Sequence, residues 1–218
     1  MLIKLHDLIT AFDLKIRGVI HIGAHVGEEL EDYLRAGIRR TIWVEANIRA
    51  YQQLVMKILK IPGQSAFCFA AHEIDDMVVD FFVTNNMESS SLLEMEDHLR
   101  EHPNVSVVGV TKVGTRRMDT AMAQYGFDTA LFNFLNLDIQ GAELLALKGM
   151  PDTLRHIDYI YSEVNERHLY KGCCLVQELD NYLKQFGFER VETRMTRHGW
   201  GDAFYMKTTS LPKGAGLP

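Results

Sequence analysis

A short apolar run that ends at a glycine is the feature that most constrains how this chain can fold. The sequence VIHIGAHVGEE occupies residues 19–29, and its run of apolar and β-branched residues stops at Gly23. Leu30, Tyr33 and Leu34 then recur at the spacing of an amphipathic helix. A strand, a tight glycine turn and a helix in this order predict the start of a βαβ unit, which requires parallel strands and right-handed crossovers.

Strand-like and helix-like segments keep alternating along the chain. TIWVE predicts a second strand, and SAFCFAA, residues 65–71, predicts a third after an amphipathic helix. Near the end, FERVET and AFYMK are joined by a connection too short for a helical crossover, so we expect them to be antiparallel. The sequence therefore predicts an α/β fold: a doubly wound, Rossmann-like, mostly parallel seven-stranded sheet with a C-terminal antiparallel strand pair.

The middle of the chain has a less regular pattern. MVVDFFVT predicts a strand either at the edge of the sheet or in a small appended hairpin, and NNMESSS, residues 85–91, predicts a polar loop. Asp119 is expected to cap a short helix that ends at Gly126. We expect one domain over residues 1–218, with an N-terminal helix at residues 1–17 and a flexible tail at 208–218.

Composition excludes several classes of protein. The chain of 218 residues is 47% hydrophobic and 24% charged, which is typical of a globular domain. A net charge of −6 without a lysine or arginine block disfavours nucleic acid as a partner. No apolar run is long enough to predict a membrane span, and polar residues interrupt the N-terminus throughout, unlike a signal peptide. The 3 cysteines favour a reducing, cytoplasmic location, with Cys68 expected in the core.

The ends of the strands carry the residues from which a ligand site can be predicted. Ligands of doubly wound sheets bind outside the carboxyl ends of the strands. The glycine turn lacks the dinucleotide fingerprint, because His25 stands where the second glycine must contact a pyrophosphate. Glu45 ends the second strand, where a carboxylate can accept hydrogen bonds from both hydroxyls of a ribose. Together these features indicate an adenosine-containing ligand without a pyrophosphate, a description that S-adenosylmethionine (SAM) meets.

At this point the chain resembles a known family, the FkbM-type SAM-dependent methyltransferases, over roughly residues 18–207. VIHIGAHVG, followed by WVEAN, resembles the glycine-rich first motif and the ribose-binding segment of the family. NNMESSSLL, followed by TRRMDT, resembles its middle section. LNLDIQGAELLALKG is similar to its most specific signature, a strand that ends in Asp-x-x-Gly-x-Glu. The resemblance implies a class I methyltransferase fold and O-methylation of hydroxyls, often on sugars, during glycan or natural-product assembly.

The resemblance also implies roles for individual residues. Asp138 would lie near the reacting centre. The usual acid that helps to hold the amino group of the cofactor is replaced by His21, whose neutral ring nitrogen can take that role. Either His72 or Glu73 would reach the adenine amino group. The full cofactor set implied by position is His21, Gly23, Ala24, His25, Gly27, Glu45, Ala46, Asn47, Ala71, His72, Glu73 and Asp138.

A hydroxyl acceptor needs a general base, because a protonated hydroxyl is a poor nucleophile. Asp138 is the first candidate, and Glu163 and His168, which follow the next strand, complete the expected catalytic set. These three residues could also bind a divalent metal, but their spacing matches no recognised metal motif, so a metal is not favoured. Glu143 is expected to be structural, and Trp200 to stack on a sugar or pack over the sheet.

Three functions remain open on this evidence. SAM-dependent O-methylation of a hydroxyl on a sugar, glycan or natural-product intermediate is the leading hypothesis. N- or carboxyl methylation of a small molecule or peptide is the second. An inactive SAM-binding scaffold, suggested by the unusual His21, is the third. The expected partner is a small-molecule or glycan acceptor, and a homo-oligomer is compatible with the sequence.

Overall fold

The computed structural model describes residues 2–97 and 101–210, and its elements alternate as the sequence pattern predicts. The strands are β1 (Val19–Ile22), β2 (Thr41–Val44), β3 (Gln64–Phe67), β4 (Ala70–Ala71), β5 (Val78–Thr84), β6 (Val107–Arg116), β7 (Phe134–Leu137), β8 (Tyr159–Asn165), β9 (Phe188–Met195) and β10 (Trp200–Lys207). The α-helices are α1 (Leu5–Phe12), α2 (Leu30–Arg35), α3 (Ile48–Ile58), α4 (Met118–Gln124), α5 (Glu143–Lys148), α6 (Pro151–Leu154) and α7 (Val176–Lys184).

Seven of these strands form the main sheet, in the order β3-β2-β1-β7-β8-β10-β9. The pairs β3–β2, β2–β1, β1–β7 and β7–β8 are parallel, and β10 is antiparallel to both β8 and β9. The predicted doubly wound sheet with a C-terminal antiparallel pair is confirmed. The strand order reverses between β1 and β7, so the predicted ligand site lies at their carboxyl ends.

Both faces of the sheet are covered, which explains why β1 is apolar on both sides. All four residues of β1 are buried. Ile20 and Ile22 pack into one core with Leu137 and Leu183, whereas Val19 packs into the opposite core. That second core also holds buried residues of α1, so the N-terminal helix packs on the sheet. It spans Leu5–Phe12, a shorter range than the predicted 1–17.

A small second sheet, of order β4-β6-β5, stands beside the main one. Of the two alternatives for MVVDFFVT, the appended hairpin is correct, because β5 pairs antiparallel with the long strand β6. The loop 85–91 leaves β5 and returns to it through backbone bonds between Phe82 and Ser91. The Ser91 hydroxyl donates to the carbonyl of Gln140 at 2.8 Å, which holds the loop over the end of β7.

Two local predictions around the third strand and the middle helix were wrong. The predicted strand 65–71 divides into β3 and β4, because β4 leaves the main sheet to pair with β6, and Cys68 between them is exposed rather than in the core. Asp119 does not cap the helix in which it lies. Its carboxylate accepts from the backbone N–H groups of Asp152 and Thr153, so it caps α6 instead.

The C-terminal segment continues the fold for a short distance past β10. Thr208–Ser210 form a 3₁₀ helix, and the N–H of Thr208 donates to the carbonyl of Gly187 at 2.8 Å. The remainder of the predicted tail, 211–218, lies outside the described residues. Within the described ranges no helix combines the length and the apolar character needed to cross a membrane.

Candidate functional site

An apolar cleft and an acidic cavity meet at the carboxyl ends of β1, β2 and β7. The apolar cleft is walled by Phe69, Ala71, Phe81 and Ile139, with Glu45 at its side. The acidic cavity has a volume of about 530 Å³. Both are bordered by the same five residues, which therefore mark the junction between them: Gly23, His25, Glu88, Asp138 and Gln140.

The glycine turn brings β1 and β7 together at this junction. Gly23 has a φ of +85°, and its N–H donates to the carbonyl of Val44 at 2.9 Å. A Cβ atom at Gly23 would lie 1.7 Å from the carbonyl oxygen of Asp138, so no other residue fits there without moving the backbone. Gly27 has a different role: a Cβ there would meet Leu54 of α3 at 2.8 Å, so this glycine permits helix packing and lies outside both the cleft and the cavity.

Glu45 ties the turn after β1 to the turn after β2. Its two carboxylate oxygens accept from the N–H of His25 at 2.7 Å and the N–H of Asn47 at 2.6 Å. Burial raises the pKa of Glu45, although these backbone donors act in the opposite direction. Since each carboxylate oxygen has a second lone pair, Glu45 still has acceptor capacity toward the cleft. Ala46 also lines the cleft, whereas the side chain of Asn47 caps α3.

His21 is a buried, neutral histidine at the wall of the acidic cavity. Asn136 Nδ2 donates to the hydroxyl of Tyr33 at 2.8 Å, and this hydroxyl lies 3.1 Å from His21 Nδ1. Tyr33 thus links Asn136 and His21 in one chain of buried hydrogen bonds. Burial lowers the pKa of His21 to about 3. The residue at the predicted acid position is therefore an uncharged imidazole at the wall of the cavity.

The structure brings only part of the predicted adenine loop to the cleft. Ala71 lines it, together with Phe69 and Ala70. His72 and Glu73 do not: the ring of His72 accepts from the N–H of Ile74 at 3.1 Å, and Glu73 lies 3.9 Å from the ammonium of Lys148. Their backbone is drawn away because β4 pairs with β6 there.

Two carboxylates, Asp138 and Glu163, face each other across Gln140 in the acidic cavity. The amide nitrogen of Gln140 donates to Asp138 Oδ1 and to Glu163 Oε2, each at 2.8 Å. Burial and neighbouring carboxylates raise the pKa of Glu163. The side chain of Asp138 is exposed to the cavity, and desolvation by the surrounding protein raises the pKa of its carboxyl to about 6.

Glu143 lies below the cavity and binds backbone. One of its carboxylate oxygens accepts from the N–H groups of Ile139 and Gly141, both at 3.1 Å, and the residue lines neither the cleft nor the cavity. Burial raises its pKa to about 7. These contacts close the turn between β7 and α5, in agreement with the structural role expected for Glu143.

Asp202 is a cavity residue to which the sequence prediction assigned no role. It lies on β10 directly opposite Glu163 on the antiparallel strand β8, so both side chains are on the same face of the sheet. The hydroxyl of Tyr161 and the N–H of Leu2 donate to its carboxylate. The signal that could have revealed it is the alternation within GWGDAFYMK, which places Asp202 two residues from Trp200, another cavity residue.

His168 is not brought into the site. Its ring is exposed, and Nδ1 lies 3.2 Å from the carbonyl oxygen of Cys173. The set of Asp138, Glu163 and His168 is therefore not assembled around a common point, either for catalysis or for a metal. Within the described residues, the group that could hold a metal is a different one, formed by His25, Glu28 and Glu88, and Glu28 is already 2.8 Å from His25 Nδ1.

The donor set of the site fits a cationic ligand that carries adenosine. The apolar cleft offers walls for a flat base and the Glu45 carboxylate for ribose hydroxyls. The cavity that continues from it contains the carboxylates of Glu28 and Glu29 beside the glycine turn, as well as Asp138. SAM carries a sulfonium and an ammonium group against one carboxylate, so acidic surroundings favour its binding.

Comparisons with known proteins agree with this geometry. The family model for the methyltransferase FkbM domain matches residues 21–190. A 98-residue segment is 30% identical to the 2-O-methyltransferase NoeI of Sinorhizobium fredii (strain NBRC 101917 / NGR234) and covers 45% of this chain. That segment corresponds to 40% of NoeI, so the match spans less than half of the relative's length.

Two solved structures with a similar fold contain bound SAM. Streptococcus pneumoniae Sp1610, a putative tRNA (m1A22) methyltransferase in complex with SAM, matches with a TM-score of 0.53 at 13% identity, over 95% of this chain and 73% of that one. Magnesium protoporphyrin IX methyltransferase from Synechocystis PCC 6803, with bound SAM, matches with a TM-score of 0.51 at 10% identity, over 93% and 76%. The chain belongs to the FkbM family of SAM-dependent methyltransferases.

Proposed function

We propose that this chain transfers the methyl group of SAM to a hydroxyl of an uncharged carbohydrate, with Asp138 as the general base. The observation that carries the proposal is the position of Asp138 at the junction of the apolar cleft and the acidic cavity. A carboxylate at this point adjoins both the cofactor side and the acceptor side of the site. Among the described residues, the one other acid that borders both is Glu88, which lies on the loop 85–91.

The cofactor is proposed to lie across the glycine turn. Phe69, Ala71 and Ile139 enclose the adenine, Glu45 accepts from the ribose hydroxyls, and the turn at Gly23 leads the methionine part into the acidic cavity. SAM supplies an electrophilic methyl group on sulfur, so the protein has to position an acceptor oxygen in line with it and remove its proton. Of the implied cofactor residues, Gly27, Asn47, His72 and Glu73 would act at most indirectly.

The charge of the cavity supports an acceptor without negative charge. Six carboxylic acids line it, namely Glu28, Glu29, Glu88, Asp138, Glu163 and Asp202, and its described lining contains neither lysine nor arginine. A phosphate or carboxylate on the acceptor would be repelled, which disfavours RNA, the substrate class named for Sp1610. Carboxylates that accept from hydroxyls, beside the aromatic rings of Tyr170 and Trp200, suit the polar edges and apolar faces of a sugar.

The pair formed by Asp138 and Glu163 supports base catalysis. A carboxylate with a raised pKa is a stronger base than one with an ordinary pKa, and its pKa lies closer to the working pH of a proton-transfer catalyst. Asp138 is proposed to take the proton of the acceptor hydroxyl as the methyl group is transferred. Glu163, which shares the Gln140 amide with it, stabilises the proton near the pair. The 2-O-methyltransferase activity named for NoeI is consistent with a hydroxyl acceptor.

Calorimetry and methyl transfer together test the proposal. Wild-type protein should bind S-adenosylhomocysteine and methylate at least one member of a panel of neutral methyl glycosides and oligosaccharides, scored by mass spectrometry. Asp138→Asn should keep product binding and lower turnover by about 10²–10⁴-fold. His168→Ala, a control outside the cavity, should retain full activity. Undiminished turnover in Asp138→Asn would remove Asp138 as the base.

A second candidate follows from the same acidic lining: an amine acceptor, held as a cation by the carboxylates. Including amino sugars and small amines in the panel separates the two candidates, because fragmentation of the product locates the methyl group on oxygen or nitrogen. Exclusive N-methylation would replace the hydroxyl proposal. Selective transfer to a phosphorylated or nucleic-acid acceptor would contradict both.

A further inference from the structure

Gln140 adopts an unusual backbone conformation at the floor of the site. It follows Asp138 in the turn after β7, with a φ of +56°, and Gly141 next to it has a φ of +96°. The left-handed region costs a residue with a Cβ atom about 1 kcal/mol relative to glycine. A glutamine in this conformation is therefore expected to contribute to the site through its side chain, which glycine lacks.

Both the nitrogen and the oxygen of the Gln140 side-chain amide form hydrogen bonds. Nε2 donates to Asp138 Oδ1 and to Glu163 Oε2, both at 2.8 Å, so its two hydrogens are used on two carboxylates. Oε1 accepts from the hydroxyl of Tyr170 at 2.7 Å. The opposite orientation of the amide would place its oxygen against both carboxylates. The Asp138–Glu163 pair and Tyr170 therefore fix the same orientation.

No lysine or arginine is found among the described residues that line the cavity around the carboxylate pair. The acids Glu143, Asp202 and Glu29 act on the carboxyls of the pair, and Glu28, Glu88, His21, His102 and Tyr170 line the same cavity. Burial and mutual repulsion drive such carboxyls toward protonation. The N–H donors of Gln140 oppose that tendency at both members of the pair.

We propose that Gln140 is a positioning residue that keeps the Asp138–Glu163 pair ionised and aimed at the acceptor. The inference rests on the proposed function of Asp138 as the base. One oxygen of each carboxylate accepts a hydrogen bond from the amide, so the remaining lone pairs can accept from the acceptor hydroxyl. Without the amide, a proton is held between the two carboxylates and Asp138 loses its capacity to accept one from the substrate.

Two variants and a control test this role. Gln140→Met removes both donors at nearly constant length, and Tyr170→Phe removes the hydroxyl that orients the amide. Gln185→Met, on the exposed end of α7, is the control. The first readout is infrared titration of the protonated carboxyl band in the protein saturated with S-adenosylhomocysteine, which needs no acceptor. We expect the band to persist to a pH about one unit higher in Gln140→Met, less far in Tyr170→Phe, and unchanged in the control.

Kinetics with whichever neutral glycoside serves as acceptor supply the second readout. Gln140→Met should lower kcat at pH 7 by about tenfold, shift the acid limb of kcat about one unit upward, and recover at high pH. The Kd for S-adenosylhomocysteine should change less than about threefold. An unshifted infrared band, or an equal loss of kcat at every pH, would overturn the role of Gln140. If Gln140→Met does not fold, the infrared shift of Tyr170→Phe decides alone.

The two proposals fail in different ways. Absence of methyl transfer by wild-type protein to every acceptor contradicts the proposed function but leaves the infrared comparison intact as a test of the positioning role of Gln140. Conversely, normal turnover with an unshifted band in Gln140→Met contradicts that positioning role and leaves the proposed function standing.

Discussion

Two substitutions of Glu143 distinguish the contribution of its hydrogen bonds to stability from the contribution of its charge. The side chain is 1% exposed, and one oxygen accepts from the N–H groups of Ile139 and Gly141 at 3.1 Å. Glu143→Gln can keep both bonds through its carbonyl oxygen and place its NH₂ group where the second carboxylate oxygen has no partner among the described residues. Glu143→Ala removes the acceptor and leaves two buried N–H groups without a partner, together with a small cavity.

The magnitudes differ enough to be separated by denaturation. An unsatisfied buried donor costs about 1–3 kcal/mol, so Glu143→Ala should lower the free energy of unfolding by roughly 3–5 kcal/mol at pH 6 once the lost packing is included. Glu143→Gln should lower it by about 1 kcal/mol or less. Urea titrations followed by tryptophan fluorescence give both numbers, and unchanged m-values show that the comparison concerns stability alone.

The pH dependence provides a stricter test. Burial raises the pKa of Glu143 from 4.5 to about 7 in the folded protein, so the folded state holds a proton that the unfolded state has released. This contribution to stability is complete below pH 4.5 and is lost as the pH rises to about 7. Glu143→Gln does not titrate, so its stability should fall less steeply across that window, by of the order of 1–3 kcal/mol. Equal slopes in wild type and variant would refute the reasoning.

Three other variants probe the remaining supports of the site. Glu45→Gln turns one acceptor into a donor facing a backbone N–H, so calorimetry should show S-adenosylhomocysteine binding at least about tenfold weaker; unchanged affinity would exclude the ribose role. Tyr33→Phe removes the hydroxyl that hydrogen-bonds both His21 and Asn136 and should cost about 1–3 kcal/mol in urea unfolding, whereas a neutral result would contradict a stabilising role for these buried hydrogen bonds. Asp119→Ala uncaps α6 and should cost about 1–2 kcal/mol, whereas Asp152→Ala, in the same turn but exposed, should cost less than about 0.5.

The order of elements could be predicted because periodicity is a local property of the sequence. Apolar runs of strand length between helical stripes recover the parallel core of the sheet. The placement of β10 between β8 and β9 could not be predicted in the same way. A short connection shows that two strands pair, but it does not show which of them also contacts β8. That choice depends on the burial of the two faces, and β10 is buried along most of its length whereas β9 is only partly buried.

The errors at the site arise where the backbone leaves the main sheet. SAFCFAA has the composition of one continuous strand, yet the chain bends at Cys68 and Phe69 so that Ala70–Ala71 pair with β6. A single tertiary pairing therefore moves Phe69 and Ala70 onto the cleft and takes His72 and Glu73 away from it. His168 follows the end of β8, and its Nδ1 lies 3.2 Å from the carbonyl oxygen of Cys173, so its ring is held away from the cavity that Tyr170, two residues later, lines.

The aromatic surroundings of position 21 explain why a histidine, and not an acid, stands there without loss of function. His21 packs against the rings of Tyr33 and Trp43, with ring centroids 6.0 and 5.1 Å away, beside the buried second core. An ionised acid in that place would be enclosed by aromatic rings and would pay a large desolvation cost. The carboxylate of Glu29, at the start of α2, reaches to within 4.0 Å of His21 Nδ1 and also lines the acidic cavity. The carboxylate near the glycine turn therefore belongs to Glu29, on the helix that follows the turn. The strand position carries the neutral ring of His21, which packs against aromatic side chains.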